Sequence, residues 1–359
     1  MKNQVFITIT ILFQLLQSNA QEINTEANKQ LQALVNDGHI IGGAAGITID
    51  DELIWQNNVG YDNRDAKKQF NLNTKTRTAS IAKPMTAIAI MQLVEKGLIE
   101  LNDPVESFIP DYPKLSENKI TIKHLLSHTS GITGYKNGKE AETKINYASL
   151  SEALKLFQNR PLLFEPGTQY SYTTYGYTVL GVVIEKVTGL TFETYMQKHI
   201  WDKSKMTETG VEKYGVEVPS ESLLYHKIKK GKIKEGKENN LSNRLPGGGF
   251  YSTLGDLLKF GNAVLNNTLI SESSLNVMRE HHSLEKVNNG YGFGWFLYGR
   301  MPNEGVIIGH TGEQTGVSAH LFLIPKSKTV IAVISNTSGS LKEVSTLGGY
   351  LIGLSKKDK

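Results

Sequence analysis

The 359-residue chain contains no cysteine. That absence excludes disulfide bonds, thiolate metal centres, a cysteine nucleophile and lipid attachment through sulfur. Stability must rest on an apolar core, which a chain of this length can supply. Long apolar runs are equally scarce. The one stretch that approaches such a run, Val5–Leu16, is too short to span a bilayer comfortably. A charge excess is missing too: 39 Lys and Arg stand against 35 Asp and Glu, and the net +4 is scattered, which argues against nucleic acid as the main partner. No G-x-S-x-G occurs, so a nucleophile elbow of the α/β-hydrolase kind is unsupported.

What is present begins with a leader. Lys2, the apolar run and the small residues Ser18 and Ala20 form the pattern of a secretory signal peptide over residues 1–20, cut after Ala20. The expectation is export, periplasmic or secreted, with a retained anchor as the alternative. Next, "NTEANKQLQALVNDG" reads as a helix capped by Asn24 or Thr25 and stopped at Gly38. Two strand-like runs, "GGAAGITID" and "ELIWQNNVGY", meet at Asp50-Asp51 as a hairpin. Three more runs near the other end, "GVIIGHTG", "VSAHLFLIP" and "KTVIAVISN", precede a last helix. Between them the chain is mainly helical. In "YGYTVLGVVIEKVTG", for example, Leu180, Val183, Ile184 and Val187 share one helix face. The fold class expected is α+β: an antiparallel sheet built from both chain ends and flanked by helices (about 21–75 and 285–359), plus a mainly helical lobe (about 76–284). The run "HKIKKGKIKEGKE" reads as a solvated hairpin whose lysines discourage edge pairing.

The chemistry centres on "RTASIAKPMTAIAIMQLVEKG", expected as a buried helix opening at Ser80 and closing at Gly97. A capping serine prefers Glu or Gln three residues on, yet that place holds Lys83. Residues three apart share a helix face, so the lysine can reach the serine hydroxyl. Burial and the helix N-terminus both disfavour the ammonium, and a neutral amine can take the serine's proton. First-turn N–H groups then face a developing oxyanion. S-x-x-K alone is a weak signature: Ser116–Lys119 and Ser283–Lys286 repeat it in polar, charge-rich surroundings.

Three segments in order, "SIAK", "YTT" within "PGTQYSYTTYGYTVLG" and "HTG" within "GHTGEQTG", resemble the signature of the serine β-lactamase and DD-peptidase superfamily in its class C-like branch. "FEPGTQ", "YGYTVL" and "GGGFYSTLGDLLKFGNAVL" are similar to the mitochondrial serine β-lactamase-like group and its bacterial relatives. The resemblance implies Ser80 as acylated nucleophile, Lys83 as its base, and Tyr172 as the group exchanging a proton at the leaving atom. It implies His310 on the opposite strand, Thr311 as a binder of a substrate carboxylate, and Gly312 as a point of close substrate approach. It further implies an oxyanion hole from the N–H groups of Ser80 and Glu313. Thr174 stands where that signature has Asn, and His310 where many members have Lys, a group expected to titrate near neutrality. The expected function is therefore a serine hydrolase acting on an amide, peptide or ester, with a weak β-lactamase among the candidates. The rival is a non-catalytic penicillin-recognising or scaffold module of the same fold. No cofactor or metal is expected, the partner is a small-molecule or peptide substrate, and self-association is left open.

His124 and His128 in "HLLSH" are four apart but lack a general-base Glu, so a structural helix is the simpler reading. His281 and His282 read as surface residues. "PGGGF" lacks the Lys-Ser/Thr of a phosphate loop and reads as a tight turn before a helix capped by Ser252 or Thr253. Tyr170, Tyr175 and Tyr177 read as packing.

Overall fold

Asp50 and Asp51 both adopt left-handed backbone, φ 49° and 69°, the hairpin geometry whose twist matches that of the strands it joins. They link β1 (Gly42–Ile49) to β2 (Glu52–Asn63), as the sequence pattern requires. The computed structural model describes residues 24–228, 231–282, 290–302 and 304–356; the leader and Ser283–Lys286 lie outside them.

The main sheet is completed by β3 (Lys68–Gln69), β4 (Phe296–Met301), β5 (Gly305–Gln314), β6 (Val317–Ile324) and β7 (Thr329–Ser335). Its order is β3-β2-β1-β7-β6-β5-β4, with every pairing antiparallel. Both ends of the chain thus build one sheet, and its seam is β1 against β7, Ala45 opposite Val333. Strand β4, which the sequence reading did not include, pairs with β5 only as far as Gly309, so among the described residues His310–Gln314 has one edge that no strand pairs with.

The outer face is covered by α1 (residues 24–36) and α5 (Leu341–Leu354). Ala27, Leu31, Ala45, Ile47, Phe322, Ile331, Val344 and Leu351 form that layer. Asn24 and Thr25 lie within α1 rather than capping it, and Gly38 ends it at φ 70°. The inner face packs on the helical lobe, where α2 (Ala82–Glu95), α3 (Tyr175–Thr188) and α4 (Leu254–Leu265) share the larger core. Helix α4 is capped by the Thr253 hydroxyl, which accepts from the Asp256 N–H at 3.3 Å.

Two expectations need correction. The helix at Ser80 opens as a 3₁₀ turn, Ala79–Ile81, and α2 proper begins at Ala82, so Ser80 caps nothing. The lysine-rich hairpin pairs Tyr225–Lys227 with Ile233–Glu235 as expected, but its other side is joined in parallel by Thr337–Ser338, so it belongs to a second small sheet. Among the described residues no helix is long and apolar enough to cross a membrane.

Candidate active site

Ala79 takes a left-handed conformation, φ 46°, and this sharp entry presents Ser80 ahead of α2. The turn is held on both sides. Upstream, the fully buried Arg77 donates from Nε to Glu212 at 2.8 Å, and from its terminal nitrogens to Asn239 Oδ1 at 2.6 Å and to the Thr315 carbonyl at 2.9 Å. Because Thr315 follows β5 directly, one guanidinium ties the approach to the serine to the end of the facing strand. Downstream, Thr86 donates to the Pro246 carbonyl at 2.7 Å, which draws the Pro246–Gly248 turn over the first turns of α2.

Lys83 has no exposed surface. Its Nζ lies 3.0 Å from Ser80 Oγ, 3.3 Å from Thr174 Oγ1 and 2.8 Å from the Gly247 carbonyl. Burial, reinforced by the Arg244 cation, holds the amine well below the ordinary lysine value. A neutral amine has two N–H groups and one lone pair. The Gly247 carbonyl can only accept and Thr174 can accept, which leaves the lone pair for the Ser80 hydroxyl. The "PGGG" turn is therefore part of the site, a role its sequence did not disclose. A Cβ at Gly247 would stand 2.5 Å from Thr174 Cγ2, so glycine is needed for Thr174 and the lysine to meet there.

Tyr172 closes the other side, its ring centroid 4.8 Å from Lys83 Nζ. As a residue it is 37 % exposed, but His128, Tyr291, Phe296 and His310 flank its ring and bury its phenol end. That burial pushes the phenol well above the usual tyrosine range, with the hydrogen bond to Ser80 pulling the other way. The proton is thus retained, which suits a donor to a departing group. Behind it stands a buried cluster of His128 and Tyr177, which the sequence reading had assigned to a helix and to packing, with Tyr291, which it had passed over; the His128 ring lies 4.3 Å from Tyr172 and 4.8 Å from Tyr291.

His310 does not line an open wall. It is fully buried, with Tyr291 Oη 3.1 Å from Nε2 and the Thr311 carbonyl 2.6 Å from Nδ1. Burial and the neighbouring Lys83 hold it well below the ordinary histidine value, so the expected titration near neutrality is overturned. Its ring lies 6.1 Å from that of Tyr172. Strand alternation puts His310 and Gly312 on the face toward Ser80 and Thr311 and Glu313 on the other. The Glu313 carboxylate accepts the Gly339 N–H at 2.6 Å, so only its backbone is left beside the site.

Gly312 also differs from expectation. A Cβ there would lie 2.3 Å from the Thr78 carbonyl oxygen and 3.4 Å from Ala79 Cβ. The glycine admits the turn that carries Ser80 to the strand. His124 and His128 are engaged separately: His124 Nδ1 accepts the Thr121 N–H at 3.3 Å, completing a capping box. Ser116 bonds the Asn118 carbonyl, and Lys119 reaches toward Glu106, so that second S-x-x-K is a surface turn. His282 is half-buried, stacked on Phe293 at 3.7 Å, rather than a free surface residue.

Fold and site together define a protein of the serine hydrolase type, with a sheet joined from both termini against a helical lobe and a serine–lysine pair between them. The chain belongs to the β-lactamase family, whose model matches residues 27–351. It is 26% identical over 377 residues to the human mitochondrial serine β-lactamase-like protein LACTB, covering 79% of this chain and 69% of that one. Among solved structures it superposes on a penicillin-binding protein from Bacillus halodurans with a TM-score of 0.76 at 26% identity, covering 89% of this chain and 98% of the other. A D-stereospecific amidohydrolase from Streptomyces sp. gives a TM-score of 0.76 at 25% identity, covering 90% and 97%.

Proposed function

We propose that this protein hydrolyses an amide, peptide or ester through an acyl-serine intermediate. The observation that carries the reading is the buried Lys83 amine 3.0 Å from Ser80 Oγ, held below its ordinary proton affinity. In this reading Lys83 takes the hydroxyl proton as Ser80 attacks the carbonyl carbon. Backbone N–H groups of Ser80 and Glu313 receive the oxyanion, and Tyr172 delivers a proton to the leaving atom. Water then enters by the reverse proton path and releases the acid. His310, neutral and hydrogen-bonded to Tyr291, supports that ring from within the core and does not act as a cation. The edge of β5 beyond Gly309, left unpaired among the described residues, is the place for substrate polar groups.

The penicillin-binding protein and amidohydrolase likenesses support an acyl donor related to a peptide or amide. An active-site fluorophosphonate should label Ser80, and Lys83→Ala should abolish labelling; undiminished labelling in that variant refutes the assigned base. Intact-mass analysis after exposure to esters, D-amino-acid peptides and penicillins identifies the donor class by its adduct. The leader pattern supports export, and N-terminal sequencing of the mature protein should begin at Gln21.

A further inference from the structure

His128 has three properties that a packing residue does not need. It adopts a left-handed backbone, φ 59°, in a residue only 1% exposed. It binds the chain on both sides of Tyr172: its carbonyl accepts the Ser171 N–H at 2.9 Å, and its ring Nδ1 accepts the Thr173 N–H at 3.3 Å. Its ring then lies against the tyrosine ring itself, centroids 4.3 Å apart. An Nδ1 that accepts puts the ring proton on Nε2, and that atom is buried with no hydrogen-bond partner among the described residues. An unpaired buried donor is costly, so the arrangement persists because other contacts fix it.

We propose that His128 is the positioning residue of Tyr172, holding the phenol in line with Ser80 and Lys83 by fastening the peptide groups on either side of it. This rests on the role assigned to Tyr172 above. The segment has few other anchors: Thr173 Oγ1 donates to the Thr133 carbonyl at 3.2 Å and accepts the Tyr175 N–H at 3.2 Å, both beyond the tyrosine. Without the ring acceptor, the Ser171–Thr173 stretch keeps one clamp of two, and the phenol can drift. A misplacement of about 1 Å is enough to cost roughly a hundredfold in rate.

The test compares two variants that both lose the ring and both tolerate a left-handed backbone. His128→Asn retains an acceptor near the Nδ1 position; His128→Gly has none. With ethyl acetate as probe, an ester whose leaving alkoxide has to be protonated, His128→Gly should lose about ten- to a hundredfold in kcat with KM little changed, and His128→Asn should recover most of it. Tyr172→Phe sets the scale, and adding His128→Gly to it should cause no further loss, because the two act as one unit. Equal rates for the Asn and Gly variants, or multiplying losses in the double variant, overturn the proposal. A Tyr172→Phe enzyme as active as wild type refutes the role of Tyr172 itself, whereas loss there with none in His128→Gly refutes only the positioning. Should His128→Gly not fold, nitrogen-15 spectra of the wild-type imidazoles decide: His128 should be neutral with its proton on Nε2, and an Nδ1–H tautomer overturns the assignment.

Discussion

Gly312 and Thr78 touch backbone to backbone: a Cβ on the glycine would stand 2.3 Å from the Thr78 carbonyl oxygen, two residues before Ser80. This contact fixes how near β5 comes to Ser80. Gly312→Ala should push the turn off the strand at an overpacking cost of about 1–3 kcal/mol. Fluorophosphonate labelling of Ser80 should slow by about tenfold or more, which a time course by intact mass would measure.

Lys83 should trade stability for activity. At neutral pH a lysine in the unfolded chain is protonated, while the folded site resists the charge. Between the lowered value and the ordinary one the unfolded chain holds more protons, so this lysine's contribution rises with pH. Lys83→Met removes the penalty and should raise the melting temperature at pH 7, while lowering ester turnover by about a hundred- to ten-thousandfold. In the wild type, turnover should climb as pH rises through the depressed lysine value and show a single acid limb.

Substrate charge should not introduce a histidine titration. His310 is held neutral by burial and by Lys83, so it offers no cation to lose near neutrality. Pairs of esters differing only in a carboxylate should give parallel kcat/KM profiles above about pH 6.5. A decline confined to the carboxylate ester would show that His310 carries charge in the complex.

Acid should loosen the fold through its buried histidines. His128 and His310 are depressed by burial and by Lys83, and His320 by burial, to about 3. Below about pH 6.5 the unfolded chain takes up protons that these folded rings refuse. Stability is therefore complete above that pH and is lost as pH falls toward the folded values. For His320, which bonds Ser345 and Tyr298 at 2.8 Å each, the window runs down to about 3. His320→Gln should shrink the drop in melting temperature between neutral and acid pH.

Arg77 and Glu212 form a buried pair whose loss should be felt as stability. Glu212→Gln leaves the guanidinium charged and enclosed, at about 3–5 kcal/mol by the measure of broken buried pairs. Chemical denaturation should show a lowered midpoint with an unchanged slope.

The sequence carried the sheet's plan because its signals are local: paired aspartates at a turn, alternating runs, and glycines such as Gly97 and Gly189 at helix ends, with φ 65° and 69°. It anticipated that Ser80, Lys83 and Tyr172 would meet, because three short segments in order carry the family resemblance. It did not carry the Gly247 carbonyl, which acts through backbone, or His128, whose partners stand 43 and 45 positions away along the chain. It misread His310 because a histidine's charge depends on burial that only the assembled sheet supplies. Strand β4 escaped because "FLYGRM" has glycine and arginine where a run would be apolar.

The seam between β1 and β7 sets an order in time. Ser80 and Lys83 are made early, but the strand they face begins at Gly305, and the partner that locks the first strand ends at Ser335. Such distant pairings close late and slowly. A chain that ends before Gly305 therefore carries Ser80 and Lys83 without the strand that faces them.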